Sequence, residues 1–206
     1  MPRISQEQKD RNRGKIVTAA GERFRARGID AVGIDELMST AGMTHGGFYN
    51  HFASKEDLAI EVLHQGFTDS LGAVDRMVSD HQESPAAALN AIIESYLNTF
   101  HRDHPEAGCA SAALAFDAAR HGTKTQSEYG RGLDGYLSAI TDLLVSAAQQ
   151  SGEALDPAHA REAAIALFSQ MVGALVISRA VAAANPGLSD EVISSNRQAL
   201  LRRQAG

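Results

Sequence analysis

Residues 34–55 read IDELMSTAGMTHGGFYNHFASK, two short helix-forming stretches joined by a turn at Gly42. The first, Ile34 to Ala41, together with Met43 offers Ile34, Leu37, Met38 and Ala41 as a packing face. The second, Thr44 to Phe52, opens on a residue placed to cap it and carries Phe48 and Phe52 four apart, so both rings anchor the same side. Its other side, Thr44, His45, Gly46, Gly47, Tyr49, Asn50 and His51, is polar and short of bulk. Two consecutive glycines inside a helix cost about 1 kcal/mol each against alanine. Such a cost implies that something approaches closely from outside, and a DNA backbone or base edge fits. Short helix, glycine turn, short helix is the helix-turn-helix layout, in which the second helix enters the major groove. In that setting Tyr49 and His51 donate to phosphate oxygens, Lys55 supplies positive charge, and Asn50 reads a base edge.

Outward from this window the chain reads as helical almost throughout. A first helix is expected over Gln6–Arg27, ended by Gly28, with Ile16, Ala19, Ala20 and Phe24 on one face. Ser54 opens a helix with Glu56 and Asp57 in its first turn, running to about Val78. Ser84-Pro85 starts another, lined by Leu89, Ile93, Leu97 and Phe100 and stopped at Pro105. Further helices are expected over 109–120, 127–151, from Asp156-Pro157 to about Ala183, and over 188–203. Residues 121–126 are polar and read as a mobile loop, and Asn185-Pro186-Gly187 as a break. The fold class is therefore all-α. An N-terminal three-helix helix-turn-helix domain (1–55) leads through a connecting helix (56–80) to a C-terminal helical bundle (81–206).

The net charge of −6 looks wrong for a DNA binder until it is divided along the chain. Residues 1–55 hold nine Lys/Arg against six Asp/Glu, and the remainder ten against nineteen. A basic segment on an acidic body still meets phosphate, while the body discourages docking by the wrong face. The 44% hydrophobic and 21% charged fractions are those of a globular protein. No apolar run reads as long enough for a membrane span, and the basic N-terminus has no apolar core of a secretory signal behind it. A single cysteine, Cys109, excludes an intrachain disulfide and fits a cytoplasmic location.

The string FYNHFASKEDL at 48–58 resembles the signature of the TetR family of one-component transcriptional regulators, and the resemblance extends over about Ile16 to Val62. It implies a recognition helix on Thr44–Phe52. Phosphate contacts then fall on Thr44, Tyr49, His51 and Lys55, and base-facing positions on His45, Gly46, Gly47 and Asn50. Gly33 stands where many members place Thr or Ser as a helix cap, which removes one phosphate contact. The resemblance further implies a C-terminal ligand-binding and dimerisation domain. The function it points to is a repressor released from a palindromic operator by a small-molecule effector.

In that C-terminal half, Leu167, Met171, Leu175, Val176, Ile193 and Leu200 exceed what one monomer face needs, which points to a homodimer through the last two helices. Two recognition helices must then lie about 34 Å apart to read successive major-groove faces. Tyr96, Phe100, Phe116, Tyr136, Phe168 and Met171 are the candidate lining of an effector pocket, with plain core packing as the alternative for each. Cys109 opens a helix, where thiolates gain reactivity, and is a candidate sensor of oxidants or electrophiles. A small buried cysteine is the commoner case.

Gly130-Arg-Gly132-Leu-Asp-Gly135 matches a dinucleotide-binding string, but no strand precedes it. No catalytic motif or carboxylate pair stands out, no metal or cofactor site is assigned, and the chain reads as a regulator and not an enzyme. The competing class is a small helical ligand-binding protein or enzyme that uses the C-terminal pocket and keeps the first domain as scaffold.

Overall fold

Capping residues set most of the helix boundaries in the computed structural model, which describes residues 5–204. The expected domain bounds at residues 1 and 206 lie outside the described residues. Ser5 accepts from the Gln8 N–H to begin α1 (Gln6–Arg27), and Gly28, at φ 84°, ends it by donating to the Phe24 carbonyl. After α2 (Ile34–Thr40), Gly42 takes φ 72° so that the Met43 N–H turns back 2.8 Å to the Met38 carbonyl. Ser54 and Asp57 then hydrogen-bond reciprocally at the start of α3 (Lys55–Asp80). Ser84 with Pro85 starts α4 (Pro85–Tyr96), and Asp156 with Pro157 starts α8 (Pro157–Val181). No strand occurs among the described residues.

Three expectations change. The helix from Pro85 does not continue through Phe100. Asn98 accepts from the His101 N–H and starts a separate α5 (Thr99–Asp103), which turns Phe100 to solvent. The loop expected at 121–126 is mostly helix. After α6 (Ala110–Arg120), α7 (Thr123–Gln150) begins at once, because Gln126 satisfies the His121 carbonyl and buried Thr125 hydrogen-bonds Glu56. The Asn185-Pro186-Gly187 break is a helix start: the Asn185 side chain accepts from the Leu188 N–H, and Pro186 is the first residue of α9 (Pro186–Gln204).

The chain divides into two compact units. The first holds the residues up to Phe67 together with Pro105–Gly130, and the second holds Thr68–His104 and the residues from Arg131 onward. The division falls inside α3 and α7. Residues 105–130, assigned from sequence to the C-terminal half, group with the first unit for a physical reason. Ala110 and Leu114 enter its core, Arg25 donates to the Glu106 carbonyl at 2.8 Å, and Asp117 accepts from the Ile29 N–H at 2.7 Å. A Cβ on Gly66 would lie 2.9 Å from that of Ala110, so α3 and α6 touch there without room for a side chain.

The first core is continuous from Ile16, Ala20 and Phe24 through Leu37 and Met38 to Phe48, Phe52, Leu58 and Leu63. Each of the larger of these buried side chains contributes about 1.5–3 kcal/mol. In the second unit, buried Leu89, Ile93, Ile140, Phe168, Met171 and Leu175 form the interior. A polar node joins its helices: the Ser178 and Ser189 hydroxyls lie 2.7 Å apart, and Arg102 donates to Ser189 at 3.0 Å and to Asp103 and Asp190. The Arg102 guanidinium holds the Asp103 carboxyl below the usual carboxylate range. The glycine string at 130–135 lies within α7, where a Cβ on Gly135 would press on Leu71 at 3.3 Å. Close helix packing accounts for Gly135.

One helix among those described, α8, is long and apolar enough to cross a membrane by length and composition alone. That corrects the sequence expectation. Its charges, Arg161, Glu162 and Arg179, sit near the ends, leaving 163–178 uncharged. One side of α8 carries the buried Leu167, Met171 and Leu175, while Ile165, Ala166, Ser169, Ile177 and Ala180 are exposed.

Candidate nucleic-acid interface

The expected second helix is a tighter element, a 3₁₀ turn over His45–Asn50. Gly46 and Gly47 remove the preference for a full α-helix, and the Phe48 carbonyl accepts from both His51 and Phe52 to close it. Phe48 and Phe52 are buried with ring centroids 5.6 Å apart, so the turn is pinned from below. Above them Thr44, His45, Gly46, Tyr49 and Asn50 are exposed, Tyr49 at 61%. Gly47, His51 and Lys55 are half-buried.

Thr44 occupies the cap position, but its hydroxyl makes no capping bond; the backbone carbonyl does that work toward Gly47 at 2.9 Å. Around Gly46, a built Cβ meets nothing within 4 Å, and around Gly47 only ordinary contacts. Packing within the chain therefore does not demand glycine at 46, and the space above it is open. Likewise Gly33 caps α2 by backbone alone.

Arg13 is a part of this surface that the sequence did not single out. Its guanidinium donates to the His51 carbonyl and to both Glu61 oxygens, and lies 4.1 Å over the Phe52 ring. It ties the end of the turn to α1 and α3 at once. Burial, with the Lys9 and Arg13 charges, pushes the His51 imidazole below its usual range, so it is uncharged at neutral pH. The Lys55 amine turns inward, donating to the Asp30 carbonyl at 3.4 Å and lying 5.9 Å from the Phe24 ring. A second unpredicted contact joins His45 to Asp35 of α2. Neither Arg13 nor Asp35 carries a motif, because each acts through a partner distant in sequence.

The residues proposed for an effector pocket separate. Tyr96, Tyr136, Phe168 and Met171 are buried in the second unit, with Phe168 at 6.0 Å from Tyr96 and 4.7 Å from Tyr136. Phe100 is 66% exposed and stacks on His104 at 4.4 Å, and Phe116 is 63% exposed on α6 of the first unit. A helix break and an outward helix face leave those two exposed. A cleft of about 290 Å³ opens elsewhere, lined by Leu144, Ala163, Ala166, Leu167, Leu200 and Arg203. His101, next to Tyr96, is lowered in pKa by burial. Cys109 is the buried cap residue of α6, its thiol 3.2 Å from the Ser111 hydroxyl. Nearby, burial pushes the Tyr129 hydroxyl up to about 12.

Of the apolar residues expected at a dimer face, Leu167, Met171, Leu175, Ile193 and Leu200 are buried within the protomer, and only Val176 is half-exposed. The apolar side chains left open on α8 and α9 are Ile165, Ile177 and Leu188.

A buried aromatic floor under an exposed polar turn, beside two supporting helices, defines a helix-turn-helix protein with a second helical unit. Residues 16–62 match the profile of bacterial regulatory proteins, tetR family. It is 31% identical over 94 residues to the HTH-type transcriptional repressor KstR2 of Mycobacterium tuberculosis, covering 46% of each chain. To the HTH-type transcriptional regulator EthR of Mycolicibacterium smegmatis it is 24% identical, covering 89% of this chain and 81% of that one. The alignments to KstR2 thus span about half the length of that relative. Among solved structures, reduced Escherichia coli NemR shares the fold at TM-score 0.76 and 18% identity, over 94% of this chain and 96% of that one.

Proposed function

We propose that this chain is a dimeric, cytoplasmic transcriptional repressor that reads a near-palindromic operator and is released by a small-molecule effector. The exposed polar face of residues 44–50 over buried Phe48 and Phe52, with open space at Gly46, carries the reading. Thr44, Tyr49, His51 and Lys55 contact phosphate, with His51 as an uncharged donor and Lys55 after leaving the Asp30 carbonyl. His45, Gly46, Gly47 and Asn50 face base edges. Tyr96, Tyr136, Phe168 and Met171 surround the effector. Because α3 belongs to both units, an effector that displaces it shifts the population of DNA-competent heads. Cys109 is the candidate redox or electrophile sensor, reached through local opening because its thiol is buried.

A selection of genomic fragments with purified protein tests the reading. Enrichment of one palindromic site, lost in the Tyr49→Ala, Lys55→Ala double variant, supports it. Catalytic turnover of a substrate with no duplex enriched at low salt supports the enzyme alternative instead.

Two further outcomes are expected. Gly46→Ala keeps or slightly raises the unfolding temperature, since alanine costs up to about 1 kcal/mol less in a helical turn. The same variant lowers operator affinity by roughly tenfold or more, because its methyl fills the approach space. Unfolding and binding curves on one preparation check both. Arg13→Lys weakens operator binding while leaving the slope of log affinity against log salt unchanged, because lysine cannot reproduce the fork and the stacked face. A slope shallower by about one would mean that Arg13 itself contacts phosphate.

A further inference from the structure

His45 opens the 3₁₀ turn with its ring held from two sides. Its Nδ1 lies 2.5 Å from Oδ1 of Asp35, in the first turn of α2. The ring also meets the edge of Tyr49 at 6.3 Å between centroids, and Tyr49 stands edge-on to buried Phe48 at 5.3 Å. On the next residue, Gly46, an added Cβ would meet nothing within 4 Å. The imidazole is thus oriented while the backbone beside it stays open to the outside.

An ionised carboxylate only accepts, so the nitrogen facing Asp35 carries the proton. An uncharged imidazole has one such proton. In that uncharged form, Nδ1–H donated to Asp35 leaves Nε2 with its lone pair, and the described residues give His45 no second hydrogen bond. We infer that Asp35 is a specificity-determining residue, fixing the His45 tautomer so that Nε2 accepts from an exocyclic amine, adenine N6 or cytosine N4, in the major groove. The inference rests on the DNA reading proposed above.

Asp35 also stands where a helix N-terminus favours an acid. That role is served by any orientation of the side chain and does not require it to face His45. The pair is exposed in the free protein, where such contacts contribute little. Against a base pair, with water excluded, the same hydrogen bond strengthens. A carboxylate close to phosphates is a like-charge liability unless it performs such a task.

The test selects duplexes from a randomised pool with wild type, Asp35→Ala, His45→Ala and the double variant. Both single variants are expected to lose preference at the same base pair of each half-site and keep the rest, with no further loss in the double. At that pair, an amine-lacking analogue (purine for adenine, or 2-pyrimidinone for cytosine) should cost wild type roughly five- to tenfold, as for one hydrogen bond, and cost Asp35→Ala nothing. If Asp35 serves only helix α2, its removal lowers the unfolding temperature and weakens all sites alike, which overturns the inference. A penalty for 7-deazaguanine with none for amine deletion overturns it too, since His45 then donates. Failure of wild type to enrich any duplex overturns the DNA reading itself and the inference with it.

Discussion

Phe48→Ala is expected to abolish operator binding by unfolding the first unit. The ring is fully buried in the first core, 5.6 Å from Phe52 and edge-on to Tyr49. Truncating a buried phenylalanine costs about 3–5 kcal/mol. Domains of this size hold only about 5–15 kcal/mol in total. The 3₁₀ turn has no α-helical hydrogen-bond ladder of its own to survive on, so the loss falls on the reading surface first. Thermal unfolding followed by circular dichroism should show a lowered transition. A transition within a degree of wild type would mean that Phe48 is not the floor of the site.

Ile177→Asp should have the second large effect, on assembly and not on protomer stability. Ile177 is 56% exposed, in line with Ile165 and Ser169 on the uncharged stretch of α8. An aspartate there is solvated in the monomer but buried without a counter-charge in a two-fold contact, where unpaired burial costs several kcal/mol. In the proposed dimer, losing the second head removes the avidity of a linked half-site, typically about 10²–10⁴-fold. Sedimentation should give a monomer with unchanged helix content, and binding to a single half-site should persist. A dimer that survives both Ile177→Asp and Ile165→Asp would place the interface elsewhere.

The helix-turn-helix was legible because its determinants are local. Gly42 needs a positive φ, Phe48 and Phe52 fall on one side, and Ser54 with Asp57 caps the next helix. Caps and prolines fixed both ends of α1 and the starts of α4 and α8 in the same way. Legibility failed where a polar side chain reached a distant partner or capped a helix inside a pattern that reads otherwise. Thr125 bonds Glu56 and Gln126 bonds the end of α6, so a polar stretch that looks like a loop is helix. Asn98 supplies a cap inside an apolar period, and Phe100 leaves the interior as a result.

The sequence by itself determined the all-α class, the turn after Gly42 and most of the residues that face outward from it, since a few hydrogen bonds between near neighbours decide them. Only the tertiary structure decided that Pro105–Gly130 groups with the first unit, that Arg13 and Asp35 hold the turn and its first side chain, and which apolar face of α8 stays uncovered. Those depend on which distant side chains arrive together, and the spacing of residues along one helix carries no record of what packs against it.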